Sequence, residues 1–153
     1  MPGVSFESSN YHIRKDLVDV HQEAWASLAG PGTWLTGAQR IAIVKGIREV
    51  LRGSKCAETR EALSPENVSI PNLNDGQLNN AQVELILRVV CDPGRLTQSW
   101  TKKILSLGMS EEEYIEIIGI IATVMILDTC TFGLGLPNTD PPAPKPGDPG
   151  RYK

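Results

Sequence analysis

Cys56, Glu116, Asp128 and His21 are the side chains in this sequence whose types and settings could do chemistry. Cys56 follows Lys55 directly and begins CAETREAL, which reads as a short helix ended by Ser64-Pro65. A thiol at a helix N-terminus beside an ammonium is biased toward thiolate, because the dipole and the cation both stabilise negative charge. The thiolate is the nucleophile, so Cys56 is a candidate catalytic residue; the structural alternative is a small apolar side chain in the core. Glu116 and Asp128 lie in a run that is otherwise nearly all apolar. A carboxylate there is costly to ionise, so it shifts its pKa or finds a partner. The two are twelve residues apart, about 120° around a helix, and need not share one pocket. Glu116 is two turns in and within reach of His21, Arg40 or a loop amide, with an ion pair or interface contact as its structural alternative. Asp128, beside Thr129 and Thr131, reads as a hydrogen-bonded interior or interface group. His21 shares a helical stripe with Trp25 and Leu28 and is either a core-edge histidine or a pocket acid or base near neutral pH. The candidate catalytic set is therefore Cys56, Glu116 and His21. Arg40, Trp100 and Asp128 are candidate pocket residues, with packing as the alternative for Trp100. The three cysteines form no CxxC and no zinc-type Cys/His spacing, so neither a metal nor a cofactor is expected.

The elements that must position these groups are helices. Lys15 to Leu28 carries an apolar stripe of Leu17, His21, Ala24, Trp25 and Leu28, and the GPG at 30–32 stops it. Thr36, with Gln39 three residues on, forms a capping box for a helix running to Gly53. Ile43, Val44, Ile47, Val50 and Leu51 are its buried face; Lys45, Arg48, Glu49 and Arg52 decorate the other. Arg40 is the exception, an edge residue that reaches an interior carboxylate or snorkels to solvent. Residues 64–79 read as a surface loop. Asn79 or Asn80 caps a helix with Val83, Ile86, Leu87 and Val90 on one face. Another follows with Leu96, Trp100, Ile104 and Leu107, and Gly108 ends it. Ser110 and Glu113 form a capping box for the last helix, whose first turn, Glu111 to Glu113, suits the dipole.

That last helix shows no polar face after Tyr114. Glu116 and Asp128 leave only residues 117–127 uncharged, short of the roughly 18–20 residues a membrane span needs. It is expected at the centre of a soluble domain or shared between subunits. With no period-2 alternation anywhere, the fold class is all-α, with five or six helices over residues 1–137. Residues 138–153, dense in proline, read as a tail, a linker to a further segment, or an arm wrapping a neighbouring subunit.

The bulk numbers agree. The 153 residues, 22% charged and 41% apolar, suit one domain with an aliphatic core. A net charge of −3 without any Lys/Arg run argues against nucleic acid as a partner. No disulfide framework and no signal peptide are evident, so a reducing cytoplasm is the expected setting.

Two segments carry a resemblance. LTGAQRIAIVKGIREVLRGSKC at 35–56 resembles the helix leading into the catalytic cysteine pair of alkylhydroperoxidase D-like (AhpD-like) proteins, the superfamily that includes the carboxymuconolactone decarboxylases. Residues 92–137 are similar to the helical pair of its peroxidase-related branch, and GMSEEEYIE resembles the recurring G-(L/M)-S-x-E-E-(Y/I)-x-E. PGDPGRYK resembles the Pro-Gly-x-Pro-x-Arg stretch beyond. The likeness covers about residues 35–150. Redox-active members carry Cys-x-x-Cys, a histidine four residues after the second cysteine, and a glutamate on the preceding helix. Here Cys56 matches the first cysteine, while Thr59, Leu63 and Val44 stand at the other three positions. In the family's chemistry a thiolate attacks a peroxide, a second thiol resolves the sulfenic acid, and a His/Glu relay moves protons. The decarboxylase branch uses other polar groups, and both histidines here precede the matched region. The resemblance implies an enzyme acting on a small molecule by single-cysteine redox or acid/base chemistry. Cys91 or Cys130 would resolve Cys56 only if the fold brought them close. The alternative it implies is a non-catalytic scaffold, or a subunit beside a redox-active AhpD-like partner. In either case a homo-oligomer through its helices is expected.

Overall fold

Four of the described helices begin at a residue whose side chain accepts a free N–H of the first turn, namely Thr36, Asn79, Thr97 and Ser110. In the computed structural model, which describes residues 5–73 and 76–151, α1 spans Lys15–Ser27, α2 Gly37–Arg52, α3 Lys55–Glu61, α4 Asn80–Cys91, α5 Gln98–Ser106 and α6 Glu111–Gly133. Residues 1–4, 74–75 and 152–153 lie outside the described residues, 74–75 within the expected loop at 64–79 and 152–153 within the expected tail at 138–153. No strand occurs among the described residues, and the chain is all-α.

The box predicted at Thr36 closes in full, and α4 adds one where the sequence reading had only a cap at Asn79 or Asn80. Thr36 Oγ1 accepts the Gln39 N–H while Gln39 Oε1 accepts the Thr36 N–H, and Asn79 and Gln82 repeat the arrangement. At α6 only half of the box forms. Ser110 Oγ accepts the Glu113 N–H, but the Glu113 carboxylate turns aside to accept from Gln82 Nε2 at 2.7 Å, tying α6 to α4. Gly108, with φ +99°, makes the left-handed reversal between α5 and α6 that an L side chain would resist.

The centre of the fold is α2, packed between α4 and α6. Ile43, Val44 and Ile47 of α2 meet Leu85 and Ile86 of α4 and Ile117 and Val124 of α6, all fully buried. Trp25 and Trp100 close the core from α1 and α5. Three predicted stripe residues at its margins, Leu17, Leu51 and Leu107, are exposed.

Two expectations change. α6 is not the central helix: Ile117, Ile120, Ile121, Val124, Leu127, Asp128 and Thr131 are buried, but the opposite face is open. It is long and apolar enough to cross a membrane, with only 39% of its most apolar window buried inside the chain. Apolarity all round describes what a helix can bury, whereas the described residues pack against only one side of α6. The proline-rich segment, in turn, lies against its own chain. Lys145 N–H donates to Ala29 O and Gly150 N–H to Gly32 O, each at 2.8 Å, and the Arg151 guanidinium lies 5.5 Å from the Trp34 ring centre. Proline stiffens this backbone and removes donors, so a few non-proline N–H groups suffice to dock it at small entropic cost.

Candidate functional site

Cys56 lies in the first turn of α3 and Cys91 closes α4. The two helices pack so that the Cα atoms are 4.6 Å apart and the sulfurs are bonded. This overturns the reading of Cys56 as a single unpaired cysteine. The partner is 35 residues away in sequence, so no local motif announces it. Both cysteines are buried, Cys56 at 7% exposure and Cys91 at 1%. Three cations bond to groups on the elements that carry the pair. Arg60 Nε donates to Cys91 O at 2.8 Å, and Arg95 Nη2 and Nη1 donate to Thr59 O and Ala62 O. Arg95 is itself held by Asp92 at 2.7 Å. Lys55, next to Cys56, donates to Glu58 Oε2 and Ser69 Oγ. Hydrogen bonds from Lys55 and Ser54 lower the Glu58 pKa from its ordinary 4.5. Thr59, where the resemblance has its second cysteine, is fully buried and donates to Lys55 O; Leu63, at the histidine position, stands in solvent. Cys130 is free and half-buried.

Glu116 is neutralised within its own chain. Arg40 Nη1 donates to Oε1 at 2.6 Å and the Trp34 N–H to Oε2 at 2.7 Å. Arg40 and the loop amide are thus its partners; His21 is not. The knot closes over Gly32, where a β-carbon would overlap Glu116 Oε1 and Arg40 Nη1. Since Gly32 O also receives the tail through Gly150, one cluster fastens α2, α6, the GPG loop and the C-terminal segment together.

Asp128 meets Arg48 in a bidentate pair, Nη2 to Oδ1 at 2.7 Å and Nε to Oδ2 at 3.0 Å. Arg48 Nη1 donates to Thr139 O at 2.6 Å, and its guanidinium lies 4.7 Å from the Trp25 ring centre. Arg48, expected on the solvent side of α2, is 8% exposed. A buried carboxylate requires a desolvated cation, and the planar fork of arginine matches it. That requirement is the signal through which sequence reasoning could have found Arg48: two carboxylates in an apolar helix call for two cations elsewhere.

His21 sits apart, with Nδ1 2.7 Å from Leu17 O and its ring edge-on to Phe6. Trp100 is core, its Nε1 donating to Glu84 at 3.3 Å while the Arg88 guanidinium stacks 5.7 Å away. The structure therefore brings Arg40 to Glu116 and leaves Cys56, Glu116 and His21 each with separate partners. Sequence reasoning left Cys91 and Cys130 both open as partners of Cys56, and it missed Arg88, which is 3% exposed with Nε and Nη1 unpaired. Among the described residues, no cluster of His, Cys, Asp and Glu could hold a metal ion. No protein-family model, curated protein or solved structure matches the chain.

Proposed function

We propose that this chain is an AhpD-like redox protein, of the carboxymuconolactone decarboxylase superfamily, that works through Cys56 and Cys91 in place of a Cys-x-x-Cys pair. The observation that carries this reading is the bond between the two sulfurs. A second thiol within reach of Cys56 supplies the resolving group that the local sequence lacks. The cycle balances with a hydroperoxide as oxidant and an external dithiol as reductant. The Cys56 thiolate attacks the peroxide oxygen, the O–O bond breaks, and an alcohol leaves with one proton as Cys56 becomes sulfenic acid. The Cys91 sulfur then attacks the Cys56 sulfur, the S–O bond breaks, and water leaves as the disulfide forms. Two electrons and two protons from the dithiol restore both thiols. Arg60, held at the Cys91 carbonyl, is the cation placed to favour a thiolate in the reduced state. Glu116 and Asp128, each held by an arginine, serve as braces, and His21 takes no part. In a reducing cytoplasm a disulfide persists chiefly as a catalytic or redox-sensing intermediate.

A second reading is favoured by the burial of both sulfurs and by the ion pairing of both carboxylates. In it the disulfide staples α3 to α4, and the chain is a non-catalytic homo-oligomeric scaffold or a subunit beside a redox-active AhpD-like partner. Hydroperoxide consumption by the reduced protein with a dithiol reductant separates the two. The first reading expects turnover that stops in Cys56→Ser, and a trapped Cys56 sulfenic acid in Cys91→Ser. Thiols that stay inert to peroxide while the folded protein is intact would leave the scaffold reading.

A further inference from the structure

The open face of α6 has a composition that surface helices avoid. After Glu112 its outward positions are Ile115, Gly119, Ala122, Ile126, Thr129 and Gly133, all exposed and none charged. Ile115 and Ile126 are 67% and 64% exposed. A β-carbon built on Gly119 or Gly133 meets nothing within 4 Å, so nothing among the described residues covers the strip at these two positions. The spacing alternates four and three residues, the 3.5-residue period of a seam between two helices crossing at a shallow angle.

We infer that this face is the dyad of a homodimer in which two copies of α6 pack antiparallel. The inference rests on the reading of the chain as a homo-oligomer through its helices and is independent of the cysteine chemistry. The occupant is identified by self-complementarity. An isologous interface requires that if one residue meets a second, the second meets the first. Laid antiparallel with Ile126 opposite Ala122, the strip also sets Ile115 opposite Gly133 and Thr129 opposite Gly119. All six seam positions pair, each layer joins a larger side chain to a smaller one, and the pattern reads identically from either copy. Parallel packing would set Ile115 on Ile115 and Ile126 on Ile126, with holes at Gly119 and Gly133. Charge selects the same direction. Parallel helices would crowd both copies of Glu111 and Glu112 at one end with their dipoles aligned, whereas antiparallel helices separate them.

The strip, from Ile115 to Gly133, is about 27 Å long and roughly 10 Å wide, on the order of 270 Å² a side. That lies below the roughly 800 Å² a side of a standard interface. Ile118, Met125 and Phe132 flank it, and Phe132 is 60% exposed. The dimer is accordingly a concentration-dependent one.

Sedimentation of the full chain across a wide concentration range tests association. A nitroxide pair on Glu112→Cys, with Cys130→Ser and the native disulfide intact, tests geometry by the distance between labels. Monomer–dimer equilibrium is expected, with labels about 36 Å apart from the helical rise. Ile126→Glu, at an exposed position, is expected to abolish the dimer while keeping the helical circular dichroism. Gly119→Leu is expected to do the same while raising the thermal midpoint of the monomer, since its side chain meets only open space there. A monomer at every concentration would overturn the homo-oligomer reading and the dyad together. A dimer with labels about 10 Å apart, the spacing of parallel neighbours, or one that survives both substitutions, would overturn the dyad alone. Stable transfer of the monomer into lipid vesicles would overturn it in favour of a bilayer as the occupant.

Discussion

The heaviest brace in the fold is Arg48–Asp128, and Arg48→Met measures it. Methionine keeps the length and the apolar stem but removes three donors. Asp128, 6% exposed, would then hold a carboxylate with no cation beside it. Breaking one side of such a pair costs about 3–5 kcal/mol. Losing the bond to Thr139 O adds about 1 kcal/mol, and that contact also anchors the start of the C-terminal segment. The sum, roughly 4–6 kcal/mol, is a large share of the 5–15 kcal/mol that holds a typical domain folded. At about 2–4 °C per kcal/mol for a chain of this size, the thermal midpoint falls by roughly 10–20 °C. The control is Arg48→Met with Asp128→Leu, which replaces both charges by apolar volume. Such double replacements are often neutral or better, so most of the loss is expected to return. Urea unfolding followed by circular dichroism and by tryptophan fluorescence reads both, since Trp25 lies beneath Arg48. A single variant within about 1 kcal/mol of the parent, or a double variant no better than the single, would refute the assignment of Asp128 as a buried charge that needs its partner.

Reducing the Cys56–Cys91 bond opens a 35-residue loop constraint and is expected to lower stability by about 4 kcal/mol, read as a lower urea midpoint with the helical spectrum retained below it. Gly32→Ala forces a β-carbon into Glu116 Oε1 and Arg40 Nη1, so it is expected to cost about 1–3 kcal/mol, and amide exchange should show the C-terminal segment loosened at Lys145 and Gly150. Because the folded pKa of Glu58 lies below its unfolded value of 4.5, its contribution is present above that pH and is lost as pH falls through the folded pKa. Glu58→Gln should therefore flatten the acid limb of the stability profile, and carbon-detected titration should place the Glu58 carboxyl below an unpaired glutamate.

The local grammar of this chain was legible without any structure. Thr36 with Gln39, a cap at Asn79 or Asn80, Ser110, and the stops at Gly53 and Gly108 depend on residues within four of one another, so the sequence alone marks where these helices start and end. The alternation that a sheet needs was absent, and the all-α class followed. The requirement that Glu116 find a partner was legible too, with Arg40 and a loop amide among the options. Three things were decided only by tertiary packing. Cys56 meets Cys91 because α3 lies against α4, and a 35-residue separation leaves no trace in local spacing. Arg48 points inward because Asp128, eighty residues on, lies across from it, a choice made by the desolvation of one carboxylate and not by the pattern of α2. The apolar circumference of α6 said that every side could be buried, but only the way the helices share one core determined which side was left open. Hydrophobicity along a chain records what a surface can lose to water; contact between distant elements determines what it does lose.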